Sequence, residues 1–311
     1  MKVLVTGGAG FIGSNLVHAL LGEHEVGVID DLSTGKIENI HPAAWMRTLD
    51  IRDDRLEAVV REFAPDVVVH LAAQASVAVS VRDPAFDRAV NVDGTRAVAR
   101  AARAAGVRRV ISASSAAVYG EPERVPLEEG DRAVPTNPYG ASKLEAEQAL
   151  ADELEGSETD YASFRFANVY GPRQDALGEG GVVAVFCSTM AEGQAPVIHG
   201  TGAQTRDFIY VGDVVAAIII ALDSPIPLSE GASAGPAYNI STGIRTSVES
   251  LVTMLRGASG YLGPVVHEPS RIGDISDSAL DPSKAASVFE WSARVPLETG
   301  LAMTYRWFAR R

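Results

Sequence analysis

Tyr139 and Lys143, in the stretch Tyr139-Gly140-Ala141-Ser142-Lys143, stand four residues apart. On a helix this spacing puts a phenol and an ammonium on one face, one turn from each other. A free tyrosine titrates near ~10. A neighbouring cation favours its phenolate, so the pair describes a base that works near neutral pH. Eight tyrosines and four lysines in 311 residues would fall into this spacing by chance about 0.1 times (8 × 4/311). A second reactive position is Ser115, in Ser114-Ser115-Ala116-Ala117-Val118-Tyr119-Gly120. It follows the apolar run Val110 to Ala113, which reads as a strand, so its hydroxyl emerges at a carboxyl edge and would hydrogen-bond a reacting oxygen. A serine pair after a strand is more often a loop cap when it stands alone; the Tyr/Lys pair downstream gives this one a chemical reading.

A third pattern, Thr6-Gly7-Gly8-Ala9-Gly10-Phe11-Ile12-Gly13, follows a short apolar run, Lys2 to Thr6, and opens onto helical sequence. In that context Gly7 permits a tight turn, Gly10 lets the backbone approach a pyrophosphate, and Gly13 allows close packing of helix on strand. The amides at the helix start then face the anion. Twenty residues beyond Gly10 the next strand ends in Asp30-Asp31. A carboxylate there accepts both hydroxyls of an adenosine ribose and repels a 2′-phosphate, which favours NAD over NADP. The assignment is open by one residue, between Asp30 and Asp31, and Lys36 close by softens the preference. Asp50-Ile51, after the following short strand, reads equally as an adenine contact or as ordinary loop. A cationic nicotinamide ring would add to the pull of Lys143 on the Tyr139 phenol.

The elements that must position these residues alternate: strand (Val26 to Asp30), helix (Leu56 to Phe63), strand (Val67 to Leu71), alanine-rich helix (Pro84 to Ala105), strand (Val110 to Ser114), then a helix from Tyr139 to Leu154. Alternation of this kind implies right-handed crossovers and a doubly wound parallel sheet covered on both faces, a Rossmann-type α/β fold. After Tyr170 the pattern loosens. The expected organisation is a dinucleotide domain over 1–171, joined by a strand and helix returning to the sheet over 206–224, and a smaller discontinuous lobe over 172–205 and 225–311.

Composition narrows the function. Hydrophobic residues make up 46% and charged residues 22% of the chain, which excludes disorder and disulfide-stapled scaffolds. The longest apolar run, Val214 to Leu222, is far short of the ~20 residues of a membrane span, and the N-terminus does not read as a signal peptide. No membrane partner and no secretion are expected. A net charge of −13 repels phosphate backbones and argues against nucleic-acid binding. The single cysteine, Cys187, allows no intramolecular disulfide and fits a cytoplasmic setting, and the six histidines show no ligand spacing, so no metal is expected.

The glycine fingerprint, the His70-Leu71-Ala72-Ala73 strand end, the Ser-Ser-Ala-Ala-Val-Tyr-Gly and Tyr-x-x-x-Lys segments, Ala167-Asn168-Val169-Tyr170-Gly171-Pro172-Arg173, and Arg206-Asp207-Phe208-Ile209-Tyr210-Val211 together resemble the extended short-chain dehydrogenase/reductases. The likeness spans essentially the whole chain and is greatest to nucleotide-sugar 4-epimerases of the UDP-glucose (UDP-galactose) type. It implies NAD as cofactor, held by Gly7, Gly10, Phe11, Ile12, Gly13, Asp30 or Asp31, Lys36, Asp50, Ile51, Leu71, Ala72, Ala73, Tyr139, Lys143 and Phe166. It implies catalysis by Ser115, Tyr139 and Lys143. For the substrate, a UDP-sugar, it implies Ser115 and Tyr139 at the sugar, and Asn168, Arg206, Arg271, Asp274 and Ser278 toward the nucleotide and the sugar pocket, with Arg173 a weaker candidate. Relatives that eliminate water carry an Asp-Glu pair just after the catalytic serine or threonine, and decarboxylating relatives a Glu; here Ala116-Ala117 stands there, which favours simple epimerisation. Where hexose-restricted epimerases place a bulky Tyr, this chain has Ser278, leaving room for an N-acetyl group. A UDP-glucuronic acid 4-epimerase shares every one of these motifs, and a thymidine-linked substrate is also compatible with them. The resemblance further implies a homodimer formed by the helices before Gly106 and from Tyr139 to Leu154.

Overall fold

The architecture follows from strands that are apolar on both faces. In β1 (Lys2–Thr6) the side chains of Val3 and Val5 enter one hydrophobic cluster and Leu4 enters another on the opposite face, and all three are fully buried. The same split recurs in β2 (Glu25–Asp30), with Val26 and Val28 against Ile29, and in β4 (Val67–His70), with Val67 and Val69 against Val68. A strand of this kind is stable only when helices cover both sides.

The computed structural model describes residues 1–176, 181–229, 235–270 and 275–310. With β3 (Trp45–Thr48), β5 (Arg109–Ser115), β6 (Asp160–Phe166) and the late strand Ala237–Ile240, the central sheet has seven parallel strands among the described residues. From the late strand they run β6, β5, β4, β1, β2, β3. The order reverses between β1 and β4, the place where open α/β sheets bind ligands at their carboxyl ends. Helix α1 (Phe11–Leu20) contributes Leu16, Val17 and Leu20 to one face; α2 (Leu56–Phe63) contributes Leu56, Val60 and Phe63 to the other.

The alanine-rich helix expected over 84–105 is three pieces: α4 (Pro84–Arg88), preceded by a short α3 (Val77–Arg82), a π turn over Ala89–Asp93, and α5 (Gly94–Ala104). The extra residue in the π turn accompanies a buried Asn91 whose amide is committed to three partners, described below. Next comes α6 (Pro138–Leu154), and α5 packs along it.

One expectation is corrected. The strand read over 206–211 does not join the central sheet. Its residues split into Thr205–Arg206, antiparallel to Thr246–Ser247, and Phe208–Tyr210, parallel to Asn168–Tyr170. Between the pieces the Asp207 carboxylate accepts from the Thr242 amide and hydroxyl, the Gly243 amide and the Leu280 amide, which turns the chain out of the sheet. The seat beside β6 is taken instead by Ala237–Ile240, a stretch assigned above to the lobe. The helix that follows, Val211–Asp223, does return to cover the sheet, packing on α1 and β5.

Candidate active site

Helix α6 sets the geometry. Asn137 caps it through its side chain, which accepts from the Gly140 amide at 2.9 Å, and Pro138 fixes its first turn. Tyr139 therefore sits at the helix start, and its amide donates to Ser80 Oγ at 3.1 Å. Gly140 lies against the turn that follows β5: a Cβ there would come within 2.4 Å of the Ala117 carbonyl oxygen. This contact is possible only for glycine, and it brings the β5 end to the phenol. Ser115 Oγ accepts from the Ala117 amide at 3.1 Å, and the Ser115 hydroxyl favours the ionised form of the Tyr139 phenol. Burial raises the Tyr139 pKa, Ser115 opposes that, and Asp87 adds to it. One turn on, Lys143 is buried, and burial pulls its ammonium down to about 8 while Glu147 and Asp87 hold it up. No hydrogen bond or ion pair joins Lys143 to any described residue, so its donors are left for a ligand.

The glycine turn is held from behind. Asp30 is buried; its Oδ2 accepts from the Ala9 amide at 2.9 Å and its Oδ1 from the Leu32 amide at 2.8 Å, and burial raises its pKa despite both bonds. Asp31 is exposed and caps its own turn, accepting from the Ser33 amide and hydroxyl. Of the two, Asp30 is the one that touches the turn. The Ala9 carbonyl accepts from the Lys36 amide and from the Asn39 side chain. Gly7 has φ +72°, and a Cβ on it would lie 2.6 Å from the Ala72 amide; one on Gly13 would lie 2.1 Å from the Gly7 oxygen. At Gly10 the only atom of the described residues that such a Cβ would meet is that same oxygen, at 3.3 Å, so this side of the turn is open. Gly10 caps α1 with no side chain, and Phe11 and Ile12 at the helix start are half-buried. An open turn, a helix start with free amides and a buried carboxylate at the β2 end together fit a dinucleotide.

Leu71, Ala72 and Ala73 follow β4 and are half-buried beside the turn. Their position is fixed through His70. Thr95 donates to the Asn91 carbonyl at 2.5 Å and so accepts from His70 Nε2 at 3.0 Å; Nδ1 then accepts from Thr6, 2.7 Å away, and Thr6 Oγ1 in turn accepts from the Ala72 amide. Burial and the Lys143 charge press the His70 pKa from 6.5 to about 3. The unfolded chain takes up this proton below about 6.5 and the folded chain does not, so the stability His70 contributes is complete above that pH and drains away as pH falls toward 3. The urea midpoint should fall between about pH 7 and about pH 5, and fall less in His70→Gln.

Ile51 is buried beneath Gly94, and the Asp50 carboxylate is bound by Arg52 and held below its usual range. Phe166 ends β6, paired with Ser115 on one side and Ile240 on the other. On the lobe side, the Asn168 amide donates to the Asp207 carbonyl at 2.8 Å, next to Arg206. Ser278 donates its amide to the Thr205 carbonyl, so Asn168, Arg206 and Ser278 gather on one side of the site. Arg173 lies elsewhere, beside α1, with Nη1 3.4 Å from Asn15 Oδ1. Arg271 and Asp274 lie outside the described residues.

Residues 3–241 match the NAD dependent epimerase/dehydratase family. The chain belongs to this family. Within it, the chain is 42% identical to the UDP-glucose 4-epimerase of Mycolicibacterium smegmatis, with 100% of this chain and 99% of the relative covered. Among solved structures, the UDP-glucose 4-epimerase of Thermotoga maritima, crystallised with UDP-glucose, superposes with a TM-score of 0.94 at 39% identity, covering 100% of this chain and 99% of that one. The UDP-N-acetylglucosamine 4-epimerase of Methanobrevibacter ruminantium superposes at 0.92 and 34% identity, covering 99% and 97%. As in other members of an NAD-dependent family, the cofactor is NAD.

Three groups at this family site escaped the sequence reading: Gln74, Asp87 and Asn91. Asn91 donates to the Gln74 carbonyl, to Asp87 Oδ1 and to Ser142 Oγ, and accepts from the Gln74 amide. The only signal available was an asparagine inside an otherwise helical alanine-rich stretch.

Proposed function

We propose that this enzyme inverts C4 of a UDP-sugar by oxidising the 4-hydroxyl to a transient ketone and reducing it from the opposite face. The observation that carries the reading is the convergence at the carboxyl edge of the sheet of Ser115, which eases ionisation of the Tyr139 phenol, with Tyr139 at the start of α6, Lys143 buried one helical turn away, and alanines at 116 and 117. NAD, held at the glycine turn and Asp30, would supply a reversible hydride acceptor for that carbon. Tyr139 removes the 4-hydroxyl proton and later gives it back. Lys143 keeps the phenol acidic and reaches the cofactor ribose, and Ser115 steadies the oxygen on which charge changes. Asp30 takes the adenosine ribose. Asn168, Arg206, Arg271 and Asp274 take the nucleotide, in a lobe formed by residues 172–205 and 225–311 with Ala237–Ile240 given to the sheet. The enzyme acts in the cytoplasm, a setting supported by its lone, buried Cys187.

NMR of the protein with UDP-galactose, UDP-N-acetylgalactosamine and UDP-glucuronic acid, each without added reductant, tests the reading. Appearance of a C4 epimer without net NAD consumption is the expected result; no turnover of any of the three by protein with NAD bound would overturn it. Turnover of the N-acetyl sugar is expected as well as of the hexose, because Ser278 is small. In Ser278→Tyr the N-acetyl activity should fall at least tenfold relative to the hexose activity, since a ring placed against an acetamido group costs about 1–3 kcal/mol in fit.

A homodimer through α5 and α6 is also proposed. Arg100 of α5 pairs with Glu153 of α6, Arg88 of α4 pairs with Glu145 of α6, and Val81 and Phe86 nearby are exposed apolar side chains. Light scattering at one chain mass would exclude it.

A further inference from the structure

Asp87 is a carboxylate with 1% of its surface exposed, and the reaction just described gives it no part. Its oxygens are treated unequally. Oδ1 accepts from the Gln74 side chain and, at 3.3 Å, from Asn91 Nδ2, while Oδ2 is buried with no hydrogen-bond partner among the described residues. A buried orphan oxygen on a charged group is costly and calls for a reason. Its placement supplies one. Helix α4 packs against α6, and the amide that binds Asp87 Oδ1 also binds Ser142 Oγ at 3.0 Å, between Tyr139 and Lys143 in the chain. Ser142 in turn donates to the Tyr139 carbonyl. The carboxylate is thus tied through one neutral side chain to the catalytic turn of α6, with one oxygen unquenched.

We propose that Asp87 is a positioning residue of this reaction, a fixed negative charge beside the Tyr139–Lys143 pair that sets the pH window in which the pair works. The proposal rests on the roles given above to Tyr139 and Lys143. Other charges around the pair are already committed. Glu147 on α6 is bound to Arg165 of β6; His70 of β4 is neutral; Arg88 is paired with Glu145 and Asp93, and Arg82 and Asp83 at the junction of α3 and α4 are exposed. A negative charge favours the protonated form of both partners, and the electrostatics agree, with Asp87 raising Tyr139 and Lys143 alike. Since the active form needs one group ready to accept a proton and the other still charged, removing Asp87 slides the whole window toward acid without necessarily lowering its height.

The test is the pH profile of kcat for Asp87→Asn, an isosteric neutral variant, with NAD bound. Both limbs should move to lower pH together by about one unit, the size expected of a nearby buried charge, and Asp87→Glu should bring them back. Asp87→Ser, which leaves room for water, is read in the same way if the Asn variant does not fold. A second readout needs no substrate: the phenolate absorbance that disappears in Tyr139→Phe should titrate about one unit lower in Asp87→Asn. It decides the proposal even if no UDP-sugar is turned over. A uniform loss of rate with both limbs and the phenolate midpoint unmoved would make Asp87 merely structural and overturn the proposal, as would Asp87→Glu behaving like Asp87→Asn.

Discussion

Replacing Tyr139 with Phe is expected to lower kcat by about 10²–10⁴-fold, the usual worth of a positioned proton acceptor, while leaving KM and NAD content near their wild-type values. The substitution removes one oxygen. The backbone of residue 139 keeps its bond to Ser80, the Asn137 cap is untouched, and Lys143 stays buried one turn away. The glycine turn and Asp30 belong to β1, α1 and β2 and do not depend on the phenol. The loss should therefore be confined to the chemical step. Single-turnover kinetics beside a count of bound NAD checks this, and a variant that turns over within tenfold of wild type would remove Tyr139 from its role. Lys143→Met should fall in the same range through a different route, because the proposed role of Lys143 is to hold the phenol and the cofactor ribose.

The largest stability effect is expected at a pair just beneath that turn. Arg165 on β6 meets Glu147 on α6 through two bonds, Nε to Oε1 at 2.9 Å and Nη2 to Oε2 at 2.7 Å, with both side chains nearly out of solvent. Ser114 donates to the same carboxylate at 2.5 Å, and Arg165 Nη1 donates to Tyr119 Oη at 2.9 Å. Arg165→Met strands a buried carboxylate and should cost about 3–5 kcal/mol in urea unfolding; Glu147→Leu should cost a similar amount. Combining the two removes both charges at once and should recover much of the loss, since a matched buried pair contributes little beyond an apolar pair of the same volume. If the double variant is as unstable as the sum of the single ones, the charges matter for themselves and not for their matching. Glu147 also helps keep Lys143 charged, so Glu147→Leu should lose activity on the alkaline side first.

What could be read from the chain and what could not divide along a physical line. Gly7, Gly10 and Gly13, or Tyr139 and Lys143, act through backbone geometry and helical spacing, which are local, so their sequence separation carries the information. Asp30 and Asp31 are equivalent as letters and differ only in which way a strand end turns its side chains. The strand Ala237–Ile240 was missed because its four residues are too few for periodicity, and because the polar Asn239 within it is fully buried through bonds to Tyr119 and to the Leu127 carbonyl, more than a hundred residues away. Asp87 and Asn91 belong to the same class: their meaning lies in Gln74 and Ser142, and nothing near them in the sequence announces either partner.

The late arrival of Ala237–Ile240 also matters while the protein is being made. β6 ends at Phe166 and its outer neighbour ends at Ile240, 74 residues later (240 − 166). At about 5–20 residues per second the ribosome needs roughly 4–15 s to bridge that gap. Throughout it the nascent sheet presents the bare edge of β6, Tyr161 to Phe166, to anything that pairs with strands. Even after Ile240 emerges, the clamp on the new strand waits for Lys284, whose ammonium holds the Gly235 and Ala237 carbonyls. The nucleotide-binding half, complete in its chemistry by residue 166, is thus held open to misassembly until the lobe has been synthesised, and synthesis speed between residues 166 and 284 becomes a determinant of yield.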